Sequence, residues 1–144
     1  VLYAVKEPKI SLMKSINYLY SYLVLEKLRY GERVKSEISI DGSIDDIEIP
    51  PLLFLPFIEN CFKHGTKHHE DIKVRIDFVV KDNFLYFTVA NNFVKQDENT
   101  AKHGIGLKNV KRRLQLLYGS DYSLKTKSKE NEYIVNLKLP LYED

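Results

Sequence analysis

Ile72, Val74, Ile76 and Phe78 alternate strictly with Lys73, Arg75 and Asp77, and no other stretch constrains the fold as tightly. Successive side chains on a strand point to opposite faces, so this segment is a strand with one apolar and one solvated face. Such a strand needs a partner beside it and an apolar layer over one side only. Leu85, Phe87 and Val89 repeat the pattern after a turn at residues 81–83 and give the second strand.

Helical periodicity supplies the covering layer. Ser11 is a suitable N-cap for a helix running to about Tyr30 and stopped by Gly31. Leu12, Ile16, Leu19 and Leu23 form one apolar stripe, with Tyr18, Tyr22 and Leu25 lying off it. A helix apolar around so much of its girth has more than one packing partner, and within this chain it should stand half-naked. Residues 33–40 read as a strand ending at the Asp41-Gly42 turn, and Ile47 and Ile49 as a short strand before Pro50-Pro51. Residues 52–64 are helical in pattern, with Pro56 marking a kink or a late start. Leu55, Ile58 and Phe62 of that helix should face the sheet.

Residues 91–103 are polar and irregular, the composition of a flexible loop. Leu107, Val110, Leu114 and Leu117 then mark a helix that ends at Tyr118-Gly119. Segments 122–126 and 133–139 close the chain as a hairpin. Short connections between strands predict an α+β fold: a two-layer α/β sandwich, its mixed sheet mostly antiparallel, with helices packed on one face.

A chain of 144 residues has the length of one domain. Cys61 is the only cysteine, which excludes an intrachain disulfide. A net charge of +2 implies no wholesale nucleic-acid binding. No apolar run is long enough to span a bilayer, and no signal-peptide pattern is present. The chain begins at Val1 rather than methionine, which reads as a piece of a longer protein.

Two segments carry chemistry. PFIENCFKHG at 56–65 places Glu59, Asn60, Lys63 and His64 on an arc of the helix distinct from its apolar side. Phosphoryl transfer needs a metal to neutralise phosphate charge and a group to position or deprotonate the nucleophile. The Asn60 amide oxygen suits Mg²⁺, Glu59 suits the base, and Lys63 suits phosphate. Glu59 and Lys63 taken alone are equally an ordinary i,i+4 helix pair.

GIGLKNVKRRL at 104–114 is a glycine-bracketed turn expected to open a helix near Leu107. Gly104 and Gly106 let the backbone approach a ligand, and free N–H groups at the helix start favour an anion. A simple hinge before a helix fits GIG as well. Lys108, Lys111, Arg112 and Arg113 read as a solvated basic face, and His68 and His69 lack partners at metal-ligand spacing.

In this order, IENCFKHG at 58–65 and GIGLKNVKRRLQLLYG at 104–119 resemble the N and G2 boxes of the GHKL (Bergerat-fold) ATPase superfamily. The HG and RL…YG endings most resemble the LytS-like bacterial sensor histidine kinases. SYLVLEKLRYGERV at 21–34 and IEIPPLLFLPFIEN at 47–60 are similar to that family's linker into its catalytic domain. The resemblance implies a dimerisation and phosphotransfer remnant at 1–32 and an ATP-binding catalytic domain at 33–144. It also implies ATP and Mg²⁺ as cofactors, with Asn60 the Mg²⁺ ligand and Glu59 the catalytic carboxylate. Lys63 and His64 would lie at the phosphate and ribose side. Gly104, Ile105, Gly106 and Leu107 would wrap the phosphates, and residues 91–103 would form the ATP lid.

The γ-phosphate would pass to a histidine outside this chain and then to a response regulator of the LytTR type. The whole protein would be a homodimer, and this piece the cytoplasmic domain of an inner-membrane sensor, attached through segments N-terminal to it. Two departures qualify this picture. The family's G1 box reads DxGxG, whereas Asn91-Asn92-Phe93 stands here. An asparagine oxygen still accepts from the adenine amino group but without charge assistance, which predicts weak ATP binding. None of His64, His68, His69 or His103 sits in the asparagine-proline-histidine-phenylalanine context of a phosphoacceptor, so the chain should not autophosphorylate. Competing readings are a nucleotide-free dimerisation or recruitment module and an anti-sigma-type serine kinase of the same superfamily.

Overall fold

The computed structural model describes residues 8–65, 71–92, 103–129 and 131–141. The elements in chain order are β1 (Ile10–Ser11), α1 (Leu12–Tyr30), β2 (Val34–Asp41), β3 (Glu48–Ile49), α2 (Leu55–Gly65), β4 (Ile72–Lys81), β5 (Phe84–Asn92), α3 (His103–Tyr118), β6 (Ser123–Lys129) and β7 (Glu132–Pro140). A five-stranded mixed sheet has the order β2-β4-β5-β7-β6. β2 runs parallel to β4, and the other pairings are antiparallel. The fold is α+β, as the alternation and short turns predicted.

Register explains the two faces. Ile76 pairs with Val89, and Val89 with Val135, so the apolar side chains of three strands share one side. Phe54 and Phe57, at the start of α2, lie on that side against Phe87 at 4.7 and 5.8 Å between ring centroids. Phe78 meets Phe87 at 5.2 Å, and all four phenylalanines are essentially fully buried. Val110, Leu114 and Tyr118 of α3 enter the same core. The opposite face is polar: Thr88 donates to Asn136 Oδ1 at 3.0 Å, Ser39 bonds Asp77, and Lys138 lies over the Phe84 ring at 4.2 Å.

Local rules fix the junctions. Ser11 Oγ accepts from the Lys14 N–H at 3.1 Å, capping α1, and Gly31 ends it at φ 71°. Asp82 and Asn83 take φ 54° and 65°, the pair of left-handed residues that a two-residue hairpin between β4 and β5 requires. Gly42 takes φ 95° where a Cβ would stand 2.5 Å from the Val80 carbonyl oxygen.

Some expectations need correcting. Phe62, expected to face the sheet, also packs on tyrosines of α1 at centroid distances of 5.9 and 6.2 Å, and Phe57 joins the residues that meet the sheet, at Phe87. Pro56 is the second residue of α2, a late start with no kink, because its missing N–H falls where no helical bond is made. Asn91 and Asn92 belong to β5 and not to a loop. α3 starts at His103, so the glycines lie in its first turn, before Leu107.

Candidate functional site

α2 begins after a strained turn. Leu52 holds φ 58°, a region a bulky residue rarely adopts. Arg113 of α3 reaches across and donates from Nη2 to the Pro51 carbonyl at 2.7 Å, tying the entrance of α2 to its neighbouring helix. Glu59 and Asn60 follow on α2, both half-buried, and Lys63 is exposed. His64 continues the helix by backbone; its side chain lies outside the described residues.

Asn91 approaches from below. It pairs with Val74 on one side and Tyr133 on the other, which puts its carboxamide on the inner, helix-covered face. It is 6% exposed, and its Nδ2 donates to the Asn92 carbonyl at 3.0 Å. Burial raises the pKa of the neighbouring Tyr133, a hydrogen bond with Thr126 opposes that, and Cys61 of α2 adds a further upward push. Phe57 of α2 packs on Phe87 of β5, and Asn91 follows Phe87 in alternation on that same face. The two amides therefore belong to the same side of the sheet, one on α2 and one on β5.

Cys61 itself is closed off. Its thiol contacts the Phe57 carbonyl at 3.4 Å, and burial pushes it up to about 12, the behaviour of a packed hydrophobe.

Asn92 has a role that the sequence did not disclose. Its Oδ1 accepts from the Lys73 N–H at 2.8 Å, and its Nδ2 donates to the Asp71 carbonyl at 2.7 Å. The side-chain amide thus imitates a peptide unit and clamps the first residues of β4. Only a polar side chain at a strand end hinted at it.

α3 supplies the other wall. Leu107 is half-buried against the core, and Val110 and Leu114 anchor the helix. Gly104, Ile105 and Gly106 occupy its first turn; side-chain surroundings at 103–106, and residues 93–102 of the expected lid, lie outside the described residues. A groove of about 700 Å³ lies at the β2-β4-β5 end of the sheet, with Asn91 and Asn92 among its lining residues. Lys35, Lys73, Arg75, Glu37 and Glu132 line it, charges of both signs on a solvated face. Among the described residues no cluster of three or more His, Cys, Asp or Glu could hold a metal ion.

α1 carries apolar side chains on both sides. Leu12, Ile16, Leu19 and Leu23 are buried, whereas Met13, Tyr20, Val24 and Leu28 on the far side are 47, 46, 58 and 78% exposed. Tyr18 and Leu25, expected off the buried stripe, are exposed with them.

Comparison with known proteins gives these features a context. Residues 51–140 match the GHKL domain family. The sensor protein LytS of Bacillus subtilis is 37% identical over 84 residues, which cover 58% of this chain and 14% of LytS. The sensor histidine kinase BtsS of Escherichia coli K12 is 27% identical over 133 residues, 91% of this chain and 24% of BtsS. The chain thus spans a quarter or less of these two relatives. The nucleotide-free catalytic domain of the histidine kinase ThkA superposes with a TM-score of 0.74 at 13% identity, over 95% of this chain and 99% of that one. ThkA in complex with the response regulator protein TrrA gives a TM-score of 0.65 at 13% identity, over 94% of this chain and 42% of that one. At such identities the structures speak for the fold. The match over residues 51–140 reaches further: the chain belongs to the GHKL domain family.

Proposed function

We propose that this chain is the ATP-binding catalytic domain of a two-component sensor histidine kinase. In the whole protein it delivers the γ-phosphate of ATP to a histidine outside this chain, and a response regulator, of the LytTR type, receives it next. The observation that supports this most is the Asn91 carboxamide, buried on the inner, helix-covered face of the sheet beside Tyr133. A buried amide there matches what an adenine amino group needs, an acceptor shielded from water.

The rest of the donor set fits a nucleotide. The Asn60 amide oxygen is a hard ligand, and Mg²⁺ commonly takes few protein ligands and completes its shell with phosphate oxygens and water. When bound, Mg²⁺ would supply neutralisation of the phosphate charge. Glu59 holds or accepts the proton of the incoming nucleophile, and Lys63 and His64 are assigned to the phosphate and ribose. The free N–H groups at the start of α3, at Gly104 and Ile105, suit phosphate oxygens, and Gly106 and Leu107 continue the same turn beside them.

The exposed stripe Met13, Tyr20, Val24 and Leu28 supports reading residues 1–32 as the end of a dimerisation and phosphotransfer region that pairs with a second copy. No described helix is long and apolar enough to cross a membrane. Attachment of this cytoplasmic domain to an inner membrane is assigned to segments beyond this chain.

A second reading, a nucleotide-free recruitment module, draws on Asn91 Nδ2 already being engaged by the Asn92 carbonyl. Titration calorimetry separates the two. Mg-ATP should bind weakly to the wild-type chain, and Asn60→Ala should lose the Mg²⁺-dependent part of that binding with the fold intact. Absence of heat at millimolar nucleotide would leave only the recruitment module.

A further inference from the structure

α1 turns one ridge toward α2. Tyr22, Glu26 and Tyr30 follow one another at i, i+4 and i+8, so they share a helix face. Glu26 is 8% exposed, and both tyrosines pack against the core. Phe62 of α2 is held by this ridge. Its ring meets Tyr22 edge-on at 5.9 Å and 72°, and stacks on Tyr30 at 6.2 Å and 9°. The Arg29 guanidinium lies 5.0 Å from the Tyr30 ring centre. One perpendicular and one parallel contact restrict both the depth of Phe62 and the rotation of α2 about its own axis.

Glu59 precedes Phe62 by three residues, so it rises from the same side of α2. The Tyr22 hydroxyl feels both acids. Burial first, then Glu26, then Glu59, raise its pKa, so it stays protonated.

We infer that Tyr22 is a positioning residue: with Tyr30 it grips Phe62 and so holds Glu59 in the orientation used for phosphoryl transfer. The inference rests on the proposed function. In this role Tyr22 acts through Phe62 rather than on nucleotide or acceptor. Displacing a reacting group by about 1 Å costs up to roughly 100-fold in rate, whereas binding contacts tolerate more. Loss of the grip should therefore lower kcat while Mg-ATP affinity holds.

The test compares Tyr22→Phe, Tyr22→Leu and Tyr22→Ala in the full-length protein. The rate of γ-phosphate transfer is measured at saturating Mg-ATP, and the nucleotide Kd by calorimetry. Tyr22→Ala should slow transfer by about tenfold or more with Kd within about twofold. Tyr22→Leu keeps apolar burial and so the fold, but lacks a flat edge, and should slow transfer likewise. Tyr22→Phe should restore the rate. An unchanged rate in Tyr22→Leu, a matching loss of affinity, or failure of Tyr22→Phe to restore would each overturn the inference while leaving the site reading intact. A wild-type protein that binds no Mg-ATP would overturn both.

Discussion

Replacing Asn91 by aspartate pits two effects of opposite sign against each other in one side chain. Without nucleotide the change is unfavourable. Asn91 is 6% exposed and its Nδ2 donates to the Asn92 carbonyl at 3.0 Å. Aspartate would lose that bond and bring a charged acceptor against a carbonyl acceptor, at a cost of about 1–3 kcal/mol. For a domain of this size the melting temperature should fall by roughly 4–10 °C. With nucleotide the change is favourable. A neutral hydrogen bond contributes about 1 kcal/mol net, and a charge-assisted one about twice that. The gain of about 1 kcal/mol corresponds to roughly fivefold tighter adenine nucleotide binding. Thermal unfolding with and without Mg-ATP, together with calorimetric titration, measures both quantities on the same sample. Lower stability with higher affinity is the expected pair. Lower stability with equal or lower affinity would show that the residue 91 side chain does not reach the base, and the adenine-pocket reasoning would fall.

Gly42→Ala should destabilise by about 2–3 kcal/mol, because the new methyl meets the Val80 carbonyl oxygen at 2.5 Å on a backbone at φ 95°; an unchanged denaturation midpoint would contradict the close approach of β2's end to β4. The Cys61 thiol, pushed by burial from its ordinary 9.0 up to about 12, binds its proton more tightly when folded than when unfolded. Its contribution is therefore fully present below pH 9 and declines as pH rises toward 12. Chemical denaturation across that range should show a steeper alkaline loss in the wild type than in Cys61→Ala, and parallel curves would count against a sealed thiol.

What could be read in the sequence was what is decided locally. Ser11 and Gly31 bracket α1 through their own side-chain and backbone chemistry, and the alternation in β4 needs no distant partner to be seen. The β1–β3 bridge joins Ile10 to Ile49 through strands of two residues, too short to carry any period. The parallel pairing of β2 with β4, Val34 against Ile72, spans α2 and is invisible to turn signals. The contacts of Phe62 with α1 were hidden for a different reason. α2 is an apolar helix with neighbours on two sides, and periodicity cannot say which apolar residue meets which neighbour. In the site, Glu59, Asn60 and Lys63 were legible as one helix. That Asn91 lies on the helix-covered face of the sheet follows only from register, and the clamp made by Asn92 only from a tertiary amide pair.

The outermost strands have a bearing on how copies of this molecule meet. β6 carries Lys125, Lys127 and Lys129 in alternation, and β2 carries Lys35, Glu37 and Asp41, all exposed. Charged borders of this kind resist the addition of a foreign strand, since each new backbone would have to strip water from a row of ions. The sheet thus resists growth at both margins, which leaves the proposed pairing through α1 free of competition from strand-to-strand association.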